Sequence, residues 1–141
     1  MHTPRHLWIV GILGLLWNGG GAYDYLMVRT GNADYLAQMP AEVEAMRDAM
    51  PLWAGTGWGL GVWMSILGSL LLLLRSRLAT PAFGLSLLGL AITAVWTYGA
   101  GREMAPEVME PGSLGFSIAI VVLLVAQMLY ARAMTARGIL R

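Results

Sequence analysis

The chain has 141 residues, 57% of them hydrophobic and 12% charged, with a formal net charge of +1. Soluble domains carry about 25% charged residues, and a soluble fold of this size has too little interior to hide so much apolar surface. A net charge this close to zero gives no sign of nucleic-acid binding. With no cysteine, a disulfide, a thiolate nucleophile and a cysteine-held metal are excluded.

At about 20 residues per crossing, residues 1–141 accommodate four membrane helices with short loops, a single transmembrane domain. The short positive start, Met1 to Arg5, leads into helix 1 at about 6–28, with Pro4 where a helix begins. The same stretch holds the parts of a secretory signal, with Arg5, the apolar run Leu7 to Trp17, and Gly20-Gly21-Ala22 as a cleavage site. Trp8, Trp17 and Asn18 suit such a run poorly, so a retained helix is expected. Asp34, Glu42, Glu44 and Asp48 then outweigh Arg29 and Arg47 in the longest polar stretch. Within it, Pro40 and the helically spaced Val43, Met46, Ala49 and Met50 predict a short amphipathic helix at about 40–50, lying at the membrane interface.

Helix 2 is predicted at about 52–74, closing on the run Leu70 to Leu74, and Arg75-Ser76-Arg77 makes a tight basic turn. Helix 3 follows at about 80–100 with Pro81 in its first turn, then a second acidic loop with Arg102 against Glu103, Glu107 and Glu110, then helix 4 at about 113–134. The expected fold is an all-α integral membrane four-helix bundle.

Charge predicts its orientation. Arg5, Arg75, Arg77, Arg132, Arg137 and Arg141 lie in the N-terminus, the helix 2 to 3 turn and the C-terminal end, whereas seven of the eight acids lie in the other two loops. Cytoplasmic segments are enriched in Lys and Arg, so both termini are expected inside, in a bacterial inner membrane. An even number of crossings independently requires both ends on one side.

Polar residues within helix 1 are the first candidates for function. At a rise of about 1.5 Å per residue, Asn18 sits roughly 17 Å into a core of about 30 Å, and Asp24 roughly 26 Å in, near the outer boundary. A boundary carboxylate stays ionised if it reaches water or Arg102, and the plain expectation is an interfacial anchor or static ion pair. The functional alternative makes Asp24 a proton- or cation-binding group. Asn18 shares a helix face with Gly11, Gly14, Gly21, Ala22 and Tyr25 and is expected to face protein. Thr93 and Thr97 of helix 3 are candidate partners, whereas Gln127 of helix 4 is placed too far toward the inner side for a direct bond.

Small residues point to helix packing. Gly57, Gly61, Ser65 and Ser69 recur every four residues in helix 2, and Gly89 begins a similar series in helix 3. Such spacing lets helix backbones approach closely where lipid removes the hydrophobic drive. Gly19-Gly20-Gly21 has two readings, a local break that exposes backbone to a ligand, or close packing against the helix 2 stripe, which is the one expected. Aromatics gather at the outer end, where Tyr23, Tyr25, Trp53, Trp58, Trp96 and Tyr98 fit an interfacial belt. The alternative is an outward-facing pocket for a small polar or cationic ligand, formed by Asn18, Asp24, Trp58, Trp96, Tyr98 and Arg102.

No nucleophile constellation, phosphate-binding loop or metal-ligand cluster is legible, and His2 and His6 lie at the inner edge, away from any buried haem position. Neither an enzyme nor a cofactor or metal is expected.

The segments His6-Leu7-Trp8, Leu16-Trp17-Asn18 and Gly21-Ala22-Tyr23-Asp24-Tyr25-Leu26, then Gly68 to Arg77 and the tail Tyr130-Ala131-Arg132 to Arg141, carry a resemblance. The whole chain resembles a family of small uncharacterised four-helix inner-membrane proteins of bacteria, often labelled "sugar transporter" automatically. The resemblance implies the fold and brings no catalytic or binding residues with it. Two functions are therefore expected. The first is a non-enzymatic membrane interaction or accessory protein, acting in the lipid bilayer as a homo-oligomer or with a membrane protein partner. The second is a small transporter of a polar solute with Asp24 as coupling group.

Overall fold

The computed structural model describes residues 2–141, and among these every regular element is helical. α1 (Arg5–Arg29), α4 (Leu52–Leu73), α5 (Ala79–Tyr98) and α7 (Pro111–Ala136) are long. α2 (Ala33–Leu36), α3 (Ala41–Asp48), α6 (Gly101–Met104) and a 3-10 turn (Pro106–Met109) are short. Three of them, α4, α5 and α7, are long and apolar enough to cross a membrane. α1 is longer than α4, but Asn18, five glycines and Asp24 dilute its apolar character.

Prolines start the helices that follow loops. Pro51 precedes α4 and Pro111 begins α7, where the missing N–H has no intrahelical partner to lose. α1 packs on α4, α4 on α5, and α5 on α7. Near the arginine-rich end, Leu7, Leu72, Ala79, Phe83, Leu124, Ala131 and Met134 form a buried cluster drawn from all four long helices.

The stripe on α4 serves two partners. Gly57 and Gly61 face α5, where a Cβ on Gly89 would lie 2.5 Å from Gly57 O and 2.9 Å from Gly61 Cα. Ser86 Oγ of α5 donates to Gly61 O across the same contact. Ser65 and Ser69 instead face α1. The switch follows from geometry. At 3.6 residues per turn each step of four residues overshoots a full turn by about 40°, so three steps carry the stripe about 120° around the helix.

The triple glycine matches neither expected reading. α1 runs unbroken through Gly19, Gly20 and Gly21, and a Cβ on any of them meets no atom within 4 Å. The glycines that pack closely are Gly11, against Leu73, and Gly14, against Gln127 and Ser69.

α1, α4 and α7 end alike. In each, the N–H of one residue past the last turn bonds five residues back: Asn32 to Met27 O, Ser76 to Leu71 O, and Ile139 to Met134 O. This Schellman closure places its penultimate residue in left-handed backbone, which is why glycine is favoured there. Gly31 (φ 66°) and Gly138 (φ 70°) obey the rule, but α4 puts Arg75 there at φ 57°. A side chain in that conformation costs about 1 kcal/mol.

Candidate functional site

A cavity of about 580 Å³ lies between α1 and α7, backed by α4 and α5. Its walls are mostly apolar, with Trp17 and Gly20 from α1, Trp58 and Val62 from α4, Leu90 from α5, and Phe116 and Ile120 from α7. Gly20 and Gly21 face this space, so the missing side chains of α1 supply part of its volume. The rings of Trp17 and Phe116 come within 6.0 Å of each other across the gap between their helices.

One end of the cavity is an amide and hydroxyl cluster. Asn18 Nδ2 donates to Ser69 Oγ at 3.0 Å, Gln127 Oε1 at 3.2 Å and the Ser65 carbonyl at 3.3 Å. The Ser65 carbonyl only accepts, which fixes the nitrogen of Asn18 on that side. Its Oδ1 accepts no hydrogen bond among the described residues. Gln127 is thus a direct partner of Asn18, contrary to the depth argument, because its long side chain reaches across from α7. The partners lie on α4 and α7; Thr93 and Thr97 are not among them.

The other end is charged. Asp24 Oδ1 accepts from Arg47 Nη1 at 3.1 Å and from the Tyr35 hydroxyl at 2.6 Å. The carboxylate therefore pairs with Arg47, and the ion pair expected with Arg102 is not formed. Arg102 is exposed in the other acidic loop, whereas α3 lays Arg47 over the Trp58 ring, 5.0 Å from its centroid. Met46, the neighbour of Arg47, is buried against Gly101 and anchors α3 in that position. An ion pair this open to solvent contributes about 0–1 kcal/mol, so it orients α3 more than it stabilises the fold. Both hydrogen bonds fall on Oδ1, leaving Oδ2 with none among the described residues.

Tyr35 is held protonated. Its hydrogen bond to Asp24 is the main cause, partial burial and the Asp24 charge act in the same direction, and its pKa is pushed up from 10.0 to about 12. The raised folded-state value means that the contact's stabilisation is fully present below pH 10 and lost as pH rises through about 12. Alkaline absorbance titration is expected to show one tyrosine ionising near pH 12, absent in Tyr35→Phe. An unchanged titration in that variant would remove the Tyr35 to Asp24 contact from the site.

Of the residues read from the sequence as a pocket, the cavity brings together Asn18, Asp24 and Trp58. Trp96, Tyr98 and Arg102 do not line it. Tyr98 donates to Ser117 Oγ at 2.6 Å, and Trp96 Nε1 is buried without a partner among the described residues. Tyr25 stacks edge-on to Trp58 with centroids 4.9 Å apart, bracing the wall from behind. Tyr35 and Arg47 were not foreseen as site residues. The one available signal was Asn32, a helix cap whose side chain accepts from Tyr35 N and starts α2.

No protein-family model, curated protein or solved structure matches the chain.

Proposed function

We propose that this chain is a four-span protein of the bacterial inner membrane, with both termini cytoplasmic, that binds a small neutral hydroxyl-bearing solute in the cavity below Asp24. α1 is the fourth span. Supporting the orientation, the chain's basic turn and tail lie together at one end, where Arg141 N donates to Arg75 O at 2.8 Å and Arg77 N to Arg141 O at 3.1 Å. Cytoplasmic ends are the arginine-rich ones.

The observation that carries the binding reading is the pair of idle acceptors, Asn18 Oδ1 and Asp24 Oδ2, on one cavity. Six residues apart on a helix, their residues are separated by about 9 Å along the axis. A ligand with hydroxyl donors at both ends and an apolar face against Trp17, Trp58 and Phe116 satisfies both acceptors. Because Arg47 already neutralises Asp24, a neutral ligand fits better than a cation. The accessory-protein alternative accounts for the helix packing but leaves this cavity without a role. Transport of the solute uses it, with the Asp24, Arg47 and Tyr35 contacts parting as the gate.

Gly20→Leu provides the test, since its new side chain enters the cavity without a clash at Cβ. Replacing a mid-helix glycine removes a helix penalty of about 1 kcal/mol, so the variant should melt no lower than wild type. In nanodiscs, 2,3-dibromobutane-1,4-diol, a small neutral solute with a hydroxyl at each end and bromine between them, is expected to quench tryptophan fluorescence saturably in wild type, and only linearly in Gly20→Leu. Linear quenching of the wild type itself would overturn the assignment.

A further inference from the structure

At the arginine-rich end, on the opposite side of the buried cluster from the ligand cavity, a second and polar pocket of about 250 Å³ is lined by His2, Thr3, Leu74, Arg75, Gly138 and Arg141. Its key residue is in the wrong place for stability. α1 and α7 fill the left-handed position of their closures with glycine, while α4 alone carries an arginine there. The strained backbone holds the Arg75 side chain at the pocket, where its Nη1 donates to Thr3 Oγ1 at 3.0 Å.

No acidic side chain belongs to this end. Arg5, Arg75, Arg77, Arg132, Arg137 and Arg141 belong to this end, and every Asp and Glu of the chain belongs to the segment 24–48 or 103–110. The one ion pair among the described residues, between Arg47 and Asp24, lies elsewhere. A guanidinium has five N–H donors in a planar fork and recognises phosphate through two of them at once. Thr3 occupies one donor and leaves the rest for an anion. Leu74, which also lines the pocket, is 76% exposed and offers an apolar rail beside the charged group.

We propose that this pocket is a phosphate-binding site centred on Arg75, built for the headgroup of an anionic phospholipid whose acyl chain runs along Leu74. Free phosphate shares the headgroup's chemistry, and the two sources separate by experiment. The site is independent of the solute cavity, so either assignment stands or falls alone.

The test uses Arg75→Gly, which relieves the strained backbone while deleting the guanidinium. Detergent-solubilised protein is titrated with phosphatidylglycerol, with phosphatidylcholine and with inorganic phosphate, and bound lipid is counted by native mass spectrometry while the melting temperature is followed. Without additive, Arg75→Gly is expected to melt at or above the wild-type temperature. Its affinity for phosphatidylglycerol should fall by roughly tenfold or more, the scale of one charge-assisted hydrogen bond lost. Arg137→Gln removes a charge from the same end without touching the pocket and should bind as wild type does. Preference for phosphatidylglycerol over phosphatidylcholine that disappears in Arg75→Gly supports the lipid source. A melting shift with inorganic phosphate alone, also lost in Arg75→Gly, supports the site with free phosphate as its ligand. Equal binding by wild type and Arg75→Gly, or an equal loss in Arg137→Gln, would overturn it.

Discussion

Gly89→Leu is expected to lower stability by about 3 kcal/mol, the upper end of what overpacking costs, and to separate α4 from α5, as read by thermal unfolding in detergent. The size follows from what the new side chain meets. A Cβ at this position runs into Gly61 N, Gly57 O at 2.5 Å and Gly61 Cα at 2.9 Å, all of them backbone, so no rotamer change makes room. α5 must move away, and the Ser86 hydrogen bond to Gly61 O breaks with it. In lipid the chain has no hydrophobic drive to recover the loss, because helix association there rests on close packing and polar contacts. Gly20→Leu is the internal control, with the same substitution in open space and the opposite expected sign. Equal melting of Gly89→Leu and wild type would mean that the α4 to α5 crossing is not as drawn.

What the sequence made legible was whatever depends on distance along a helix axis. The apolar runs mark α4, α5 and α7 to within two residues at each end, and Val43 and Met46 mark α3. Rotation and reach were not legible. The stripe from Gly57 to Ser69 reads as one surface, yet its drift around α4 gives the glycines to α5 and the serines to α1. Arg47 and Arg102 are equivalent by depth as partners for Asp24; only the docking of Met46 beside Gly101 decides for Arg47. The glycine triplet shows the limit most clearly. A glycine that lets a helix approach and one that leaves a space empty are identical in sequence, and Gly20 is the second kind.

Asn18 is where reach matters most. Asn18→Leu keeps the same branched heavy-atom skeleton while removing the donor shared by Ser65 O, Ser69 Oγ and Gln127 Oε1. Hydrogen bonds between membrane helices average about 0.6 kcal/mol and reach about 1.7, so a cost of roughly 1–3 kcal/mol is expected for the cluster. Gln127→Leu should cost less, since Asn18 keeps both serine partners. Once Asn18 is leucine, Gln127 is left beside apolar surface without its donor, and replacing it should then cost little or nothing. The double variant is therefore expected to be less destabilised than the sum of the singles, with a coupling of about 0.6–1.7 kcal/mol in detergent unfolding. Strict additivity would show that α7 is not tied to α1 through this amide pair. The coupling bears on function as well. α1 and α7 flank the cavity and meet largely through side chains, with Trp17 near Phe116, His6 bonded to Tyr130, and Asn18 bonded to Gln127. Cutting the middle tie frees one wall of the cavity, so Asn18→Leu should also weaken the saturable quenching by 2,3-dibromobutane-1,4-diol, by more than Gln127→Leu does, because it deletes the idle acceptor along with the tie.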